Sequence, residues 1–346
     1  MCSIRIHNPG LLTTIQDAGR IGYGQYGIPA GGAMDTLSLQ FANILVGNDR
    51  YEAAMEITFM GPKIEFDSNL IISITGGDIS PRINNKEIEM YSTVYVNRGD
   101  ILSFGQLKRG CRSYLAVSGG FKVESLMESK STYLRGKIGG YKGRKLKIGD
   151  IVPVDIEKSK KYLGVRKIPK ELIPVFDSQY IARVIMGPED ERFTQEGIDT
   201  FLNSEYTLTN QCDRMGYRLG GPKIVHEDGA DIISGGITFG AIQIPGHGEP
   251  IIMMADRQTT GGYTKIANVI SVDLPYLAQL KTGDRIKFEK ISIVEAQKLI
   301  KERERKLIRC IEDMKENTII KDVKRMSNYL ITIDGKEFNI GVQEFI

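Results

Sequence analysis

The chain alternates short apolar, β-branched runs with turn-forming residues over most of its length. Such runs in "NLIISITGGD", "STVYVNRGD", "YLAVSGG", "YIARVIMGP", "PIIMMADR" and "NVISVD", each bounded by Gly, Asp or Pro, predict strands. One turn recurs: Gly-Asp leading into an apolar run appears in "NRGDILSF", "LKIGDIVPV" and "LKTGDRIKF". Each predicts a tight turn feeding a strand, as at the corners of a β-barrel, and the repetition suggests two related barrel-like units.

Helical periodicity is rare. "MDTLSLQFANILVGN" predicts a helix capped by Asp35, with Leu39, Ala42, Leu45 and Val46 on one side and Gly47 as its stop. A long amphipathic helix starts at "SIVE", where Ser292 and Glu295 match a capping box. Its apolar stripe, Ala296, Leu299, Ile300, Leu307, Ile308, Ile311 and Met314, should pack along a barrel or against a partner. The Lys- and Pro-rich stretch from about 151 to 178 reads as a crossover. The expected organisation is an N-terminal β-rich domain (1–165), a C-terminal barrel domain (166–290), the helix (291–318) and a β-hairpin tail (319–346). In that tail Ile331, Ile333, Phe338, Ile340 and Val342 alternate around an Asp334-Gly335 turn. The hairpin resembles the opening of biotin carrier domains, but no Met-Lys-Met tripeptide occurs in the chain to carry biotin.

Composition narrows the function classes. With 346 residues, 41% hydrophobic and 26% charged, this is the balance of a soluble globular protein. The net charge of +3 is too small to argue for nucleic acid. No apolar run is long enough for a membrane span and "MCSIRIHNPG" lacks a signal-peptide core, so a cytoplasmic location is expected. Cys2, Cys111, Cys212 and Cys310 form no C-x-x-C pair, and His7, His226 and His247 are scattered, so no metal site is expected.

Candidate chemistry lies in three places. "GYGQYG" at 22–27 matches G-x-G-x-x-G, but "IPAGGAMD" follows where a dinucleotide site needs a helix, so the run reads as a glycine-rich loop that lets backbone approach a ligand or partner. Gln16, Asp17 and Arg20 stand beside it, either as a turn salt bridge or as ligand-binding groups. In "NQCDRMGYRLGGP", Asp213, Arg214 and Arg218 form either a charged strand face or an arginine clamp for an anion or carbonyl. Most informative is "ADRQTTGGYTKIA": Asp256 ends an apolar strand, where burial favours a raised pKa suited to proton transfer. Arg257, Gln258, Thr259, Thr260, Gly261, Gly262 and Tyr263 follow as a cradle for a small amide or carboxylate, which Tyr263 and Lys265 close. A polar turn between two strands is the plainer account of the same residues. No G-x-x-x-x-G-K-[ST] occurs, so the chain has no ordinary P-loop.

At "GLLTTIQDAGRIGYGQYGIPAGGAMD", "ANILVGND", "EITFMGP", "ITGGD", "DRMGYRLGGP" and "ADRQTTGGYTKIA" the chain resembles the KipA family, also called allophanate hydrolase subunit 2, the biotin-dependent carboxyltransferase family or the 5-oxoprolinase C subunit. The likeness covers roughly residues 3–290. It implies a mainly β protein with a cyclophilin-like β-barrel that pairs with a KipI-like B subunit. Members resemble one half of the carboxyltransferase of urea carboxylase, join a LamB/YcsF-like A subunit in an ATP-dependent 5-oxoprolinase, or antagonise a KipI-type kinase inhibitor without catalysis. Under the first implication biotin rides on another protein; under the second ATP is bound by the complex. Asp256 and Lys281 match an acid and a lysine near substrate, and are the catalytic candidates. The substrate-binding candidates are Gln16, Asp17, Arg20, Asp213, Arg214, Gln243, Arg257 and the run Gln258 to Tyr263. The chain departs from the family pattern at Ser234-Gly235-Gly236-Ile237, His247 and Thr264, which bears on substrate rather than fold.

Overall fold

All three Gly-Asp turns form, and by one mechanism. Gly99, Gly149 and Gly283 take φ of 87°, 84° and 89°, a region that a Cβ disfavours. The following Asp N–H donates to the carbonyl three residues earlier, at 3.0, 3.2 and 3.0 Å. The Asp carboxylate accepts from the backbone N–H of that same residue, Asn97, Lys147 or Lys281, at 2.7, 2.7 and 3.0 Å. The strands Ile101–Phe104, Ile151–Pro153 and Arg285–Lys290 then begin.

The computed structural model describes residues 2–159, 164–316, 323–333 and 336–345. Its first half is a pair of sheets. One has six strands, in the order Ile151–Pro153, Ser3–Asn8, Lys63–Phe66, Ile101–Phe104, Pro81–Ile83, Lys86–Glu87; the other has five, Leu12–Gln16, Ala54–Thr58, Arg109–Val117, Leu70–Asp78, Thr93–Val96. Alternate residues such as Ile4, Ile6, Ile15, Met55, Ile57, Ile72, Ile74 and Leu115 share the core of this half. Helix α1 (Thr36–Leu45) covers the second face of the five-stranded sheet, packing Leu39, Ala42 and Val46 near Ile71, Tyr114 and Ala116. Asp35 caps it as expected, accepting from the Ser38 N–H. Covered on both faces, Leu70–Asp78 and Arg109–Val117 are buried at nearly every position rather than at alternate ones.

Only the second half closes. Seven strands form a barrel in the order Gln179–Met186, Lys265–Val269, Ala241–Gln243, Ile251–Met253, Gly216–Gly220, Tyr206–Cys212, Arg285–Lys290, sealed by parallel pairing of the first with the last. Met34 of the first half enters the core of this barrel. Outside it, Asp231–Gly236 and Thr260–Tyr263 pair as a separate two-stranded ribbon. The shared turn chemistry therefore serves a sheet pair in one half and a barrel in the other, since a turn sets local direction and not closure.

The sequence reading missed helix α2 (Gln195–Asn203), capped by the Thr194 hydroxyl. It contains Gly197, a residue that weakens helices, because a Cβ there would lie 2.3 Å from the Val225 carbonyl oxygen. Helix α3 (Leu274–Leu277) is a single turn. Helix α4 (Ile293–Glu316) starts at the expected cap, where the Ser292 hydroxyl accepts from the Glu295 N–H. It straps both halves: Ala296 and Leu299 pack with Ile270 and Val272 beside the barrel, while Leu307, Cys310 and Met314 pack on Leu37, Phe41 and Leu45 of α1. Ile300 and Ile308 of the expected stripe stay exposed, so the buried face is narrower than the apolar one. In the tail, Val323–Ile333 and Lys336–Phe345 pair as an antiparallel hairpin, with Asp334 and Gly335 outside the described residues.

The Gly-Asp turn at Asp150 generates a pH prediction. Bidentate hydrogen bonds from Arg144, 2.7 Å each, hold its carboxyl below the usual range against the opposing effect of burial. A depressed folded-state pKa stabilises above the unfolded value, about 3.9, and that stability is lost as pH falls through the folded one. Asp150→Asn should lower Tm at pH 7, and its gap to wild type should narrow below about pH 4. A gap that stayed constant to pH 2 would assign the effect to something other than carboxylate ionisation.

Candidate functional site

Every residue of Ala54–Thr58 is buried, and one of them is Glu56. A carboxylate in such a place needs charged and hydrogen-bonding partners. Arg214 supplies them from the turn between Tyr206–Cys212 and Gly216–Gly220, a turn held by Asp213, whose Oδ1 accepts from the Met215 and Gly216 N–H groups. Arg214 Nη1 donates to Glu56 Oε1, while Nε and Nη2 make a bidentate pair with Asp256, each at 3.0 Å. Nη2 also donates to the Gly32 carbonyl at 2.5 Å. The three side chains are 7, 2 and 6% exposed.

Glu56 Oε2 accepts from the Met34 N–H at 2.8 Å and the Tyr114 hydroxyl at 2.7 Å, and that hydroxyl accepts from the Asp35 N–H. Asp35 Oδ2 accepts from Gln279 Nε2 at 2.7 Å, and Gln279 Oε1 accepts from the N–H groups of Cys111 and Arg112. One buried polar network thus joins both halves. Burial alone would raise the Glu56 pKa, but Arg214 and Arg112 outweigh it and hold the group below its ordinary value. Burial likewise works against the Arg214 charge, and Asp256 with Glu56 more than restores it. Asp35, with no cation as near, is pushed up by burial despite its bonds to Ser38 and Gln279.

Beside this network opens a cleft of about 330 Å³. One wall is the glycine-rich segment, with Arg20, Ile21, Gly22, Gly24 and Ile28–Ala30; the other is Ile237 and Arg257–Thr259. The G-x-G-x-x-G match holds a 3-10 turn, Gly24–Tyr26, and the next α-helix starts at Thr36, so the run is a glycine-rich loop and does not lead into a helix as a dinucleotide motif would.

The other sequence candidates divide between this cleft and elsewhere. Arg20, Arg257, Gln258 and Thr259 line it, and Asp256 and Arg214 lie behind it. Asp17 is not paired to Arg20 in a turn salt bridge; its carboxylate accepts from Gly19 N–H, Ser129 and Ser131 hydroxyls and Lys130 N–H. Gln16 is buried, donating to Thr14 and the Thr132 carbonyl. Gln243 is buried in the barrel and donates to the Tyr263 carbonyl at 3.4 Å. Thr260, Gly261, Gly262 and Tyr263 form the ribbon strand, with Gly261 opposite Gly235. Gly261 is small for packing reasons, since a Cβ would sit 2.5 Å from Ile237 Cδ1. Lys265 is drawn off to Glu189 at 3.1 Å, and Lys281 to Asp284 of its own turn at 2.8 Å, so neither ammonium reaches Asp256 in this geometry. Asp256 directs both oxygens at Arg214 and so holds its guanidinium in place. Glu56 was missed, although a single acid inside "AAMEITF" was a visible signal. Among the described residues no group of His, Cys, Asp and Glu is placed to hold a metal ion, and no helix is long and apolar enough to cross a membrane.

The sequence model of the carboxyltransferase domain, subdomain A and B, matches residues 26–290, which include Glu56, Arg214, Asp256, the whole Ile237 and Arg257–Thr259 wall and Ile28–Ala30 of the other. The chain belongs to this family. It is 38% identical to the C subunit of 5-oxoprolinase from Haemophilus influenzae over 291 residues, covering 84% of this chain and 92% of that protein. To the C subunit of 5-oxoprolinase from Escherichia coli it is 36% identical over 304 residues, 87% of this chain and 96% of that one. Its fold superposes on the K. lactis urea amidolyase with a TM-score of 0.84 at 33% identity, covering 89% of this chain but 20% of that much longer one. These relatives support the carboxyltransferase-domain fold and the mainly β architecture, with the barrel of the second half.

Arg214→Met should be among the most damaging single substitutions, because it strands two buried carboxylates. Loss of roughly 3–5 kcal/mol is expected in denaturant unfolding, with a smaller loss for Asp256→Ala, which leaves Arg214 paired to Glu56. Equal stability of both variants with wild type would mean that the triad does not join the halves.

Proposed function

We propose that the chain acts as the C subunit of an ATP-dependent 5-oxoprolinase-type complex, which opens 5-oxoproline to glutamate together with KipI-like B and LamB/YcsF-like A subunits. The observation that carries this reading is co-extension: both proteins named as the C subunit of 5-oxoprolinase are matched over 92 and 96% of their length. By contrast, only a fifth of the urea amidolyase chain is matched.

In this reading the cleft receives the ring amide. Thr259 and Gln258 offer a hydroxyl and an amide to its polar atoms, and Arg257 a positive charge. Asp256 acts behind the wall, holding Arg214 and with it the Gly32 carbonyl on the opposite segment. ATP does not fit a site of the usual loop-and-helix kind here: the helix after the glycine-rich loop has its N-terminus capped by the Asp35 carboxylate, which opposes a phosphate. In this reading ATP is bound by the complex, and not by a P-loop of this chain. A second reading, carboxyl transfer from carboxybiotin carried by another protein, draws support from the description of the family and from the urea amidolyase likeness.

The test mixes the chain with its two partner subunits, ATP and 5-oxoproline. Glutamate and ADP should appear with all three proteins and not with this chain alone. Assembly without turnover would remove the oxoprolinase reading, and decarboxylation of carboxybiotin by the same assembly would put carboxyl transfer in its place. Within an active complex, Asp256→Ala should lower kcat/KM by about 100-fold or more through misplacement of the cleft wall, while the complex itself, followed by gel filtration, stays assembled. Unchanged kcat/KM would take Asp256 out of the site.

A further inference from the structure

Arg20 is 1% exposed and lines the cleft, yet its Nε and Nη1 donors meet no acceptor. Only Nη2 is used, by the Ser131 carbonyl. A buried guanidinium left in this state is costly unless something else completes it. The nearby carboxylates are already committed: Asp256 gives both oxygens to Arg214, and Asp17 accepts four hydrogen bonds from Gly19, Ser129, Lys130 and Ser131. On the other wall, Arg257 stacks its guanidinium on Phe239 at 5.5 Å and donates Nε to the Ile237 carbonyl at 3.0 Å. It too has no ion pair among the described residues. Burial lowers the pKa of both, that of Arg257 to about 10, with Asp256 opposing in each case.

We propose that Arg20 and Arg257 together form an anion subsite of this cleft that takes a carboxylate of the bound substrate. A carboxylate brings two acceptor oxygens and the missing charge, which matches a fork with two idle donors on one wall and a second cation on the other. The loop over Arg20 exposes Ile21 and Tyr26, at 77 and 69%, so few packed contacts oppose the adjustment that lets an anion reach it. The subsite separates amides by charge: an anionic ring amide satisfies it, and neutral urea leaves it empty. The identity of that amide as 5-oxoproline rests on the proposed function; the anion subsite does not.

Kinetics of the assembled complex and calorimetry of the full-length chain test it, using 5-oxoproline, its uncharged counterpart 2-pyrrolidinone, and succinate as a carboxylate probe. Arg20→Gln and Arg257→Gln should each raise KM for 5-oxoproline about 10- to 100-fold, the scale of one charged hydrogen bond, with kcat changed far less. Binding of 2-pyrrolidinone should not respond. Arg20→Gln removes an unsatisfied buried charge, so its Tm should not fall, and Arg257→Gln gives an independent reading if it does. Turnover of 5-oxoproline with KM unmoved in both variants overturns the subsite and leaves the oxoprolinase function standing. If the complex is inert to 5-oxoproline, but the chain binds succinate and loses that binding in Arg20→Gln, the subsite holds and the oxoprolinase reading fails. Carboxylate binding indifferent to both arginines overturns the subsite whatever the complex does.

Discussion

Arg214 is the constraint around which the molecule is assembled. Its guanidinium ties Glu56, in the middle of a first-half strand, to Asp256, in the turn after a barrel strand, and to the Gly32 carbonyl of the glycine-rich segment. Taking three charges out of water has a desolvation cost that their attraction only partly offsets, so the contribution of such a triad is definition of geometry more than net stability. The fork geometry of arginine permits three acceptors in fixed directions, which a lysine ammonium on the same stem does not reproduce. The two halves can therefore meet in one orientation without stranding a buried charge.

The cleft follows from that orientation. Its walls belong to segments more than 200 residues apart in the chain, Arg20–Ala30 and Ile237–Thr259, and Arg214 touches the continuation of each. Helix α4 reinforces the arrangement from outside, laying one end beside the barrel and the other on α1. Met34 adds an apolar key, entering the barrel core two residues before α1 begins. Apolar packing thus brings the halves together, and the polar network specifies how. The positive character of the cleft arises because the acids nearest to it are spent on other donors.

Much of this was legible locally. The Gly-Asp turns, the Asp35 cap and the Ser292 cap are encoded within four residues each, and all three kinds formed as read. The "DRQT" stretch stood out because polar groups cluster there after an apolar strand, and Arg257–Thr259 of it line the cleft. Less legible were Asp213, Lys265 and Lys281. Each carries the right functional group, and each is taken up by a neighbour, in a hairpin turn, at Glu189 or at Asp284. Glu56 was passed over for the opposite reason, since its ion-pair partner Arg214 comes from 158 residues along the chain and no local pattern announces it.

By itself, then, the sequence determined the mainly β character, the Gly-Asp turns, the two long helices' starts and the family, because these depend on periodicity, on backbone preferences of Gly and Asp, and on motifs read in order; the run "NVISVD" is strand only at Asn268 and Val269, beyond which the chain turns. Closure of one half into a barrel, the engagement of both Asp256 oxygens by Arg214, and the isolation of Arg20 and Arg257 as unpaired cations were decided only in three dimensions. Those outcomes depend on which charges the fold places side by side from distant parts of the chain, and burial makes each such pairing exclusive.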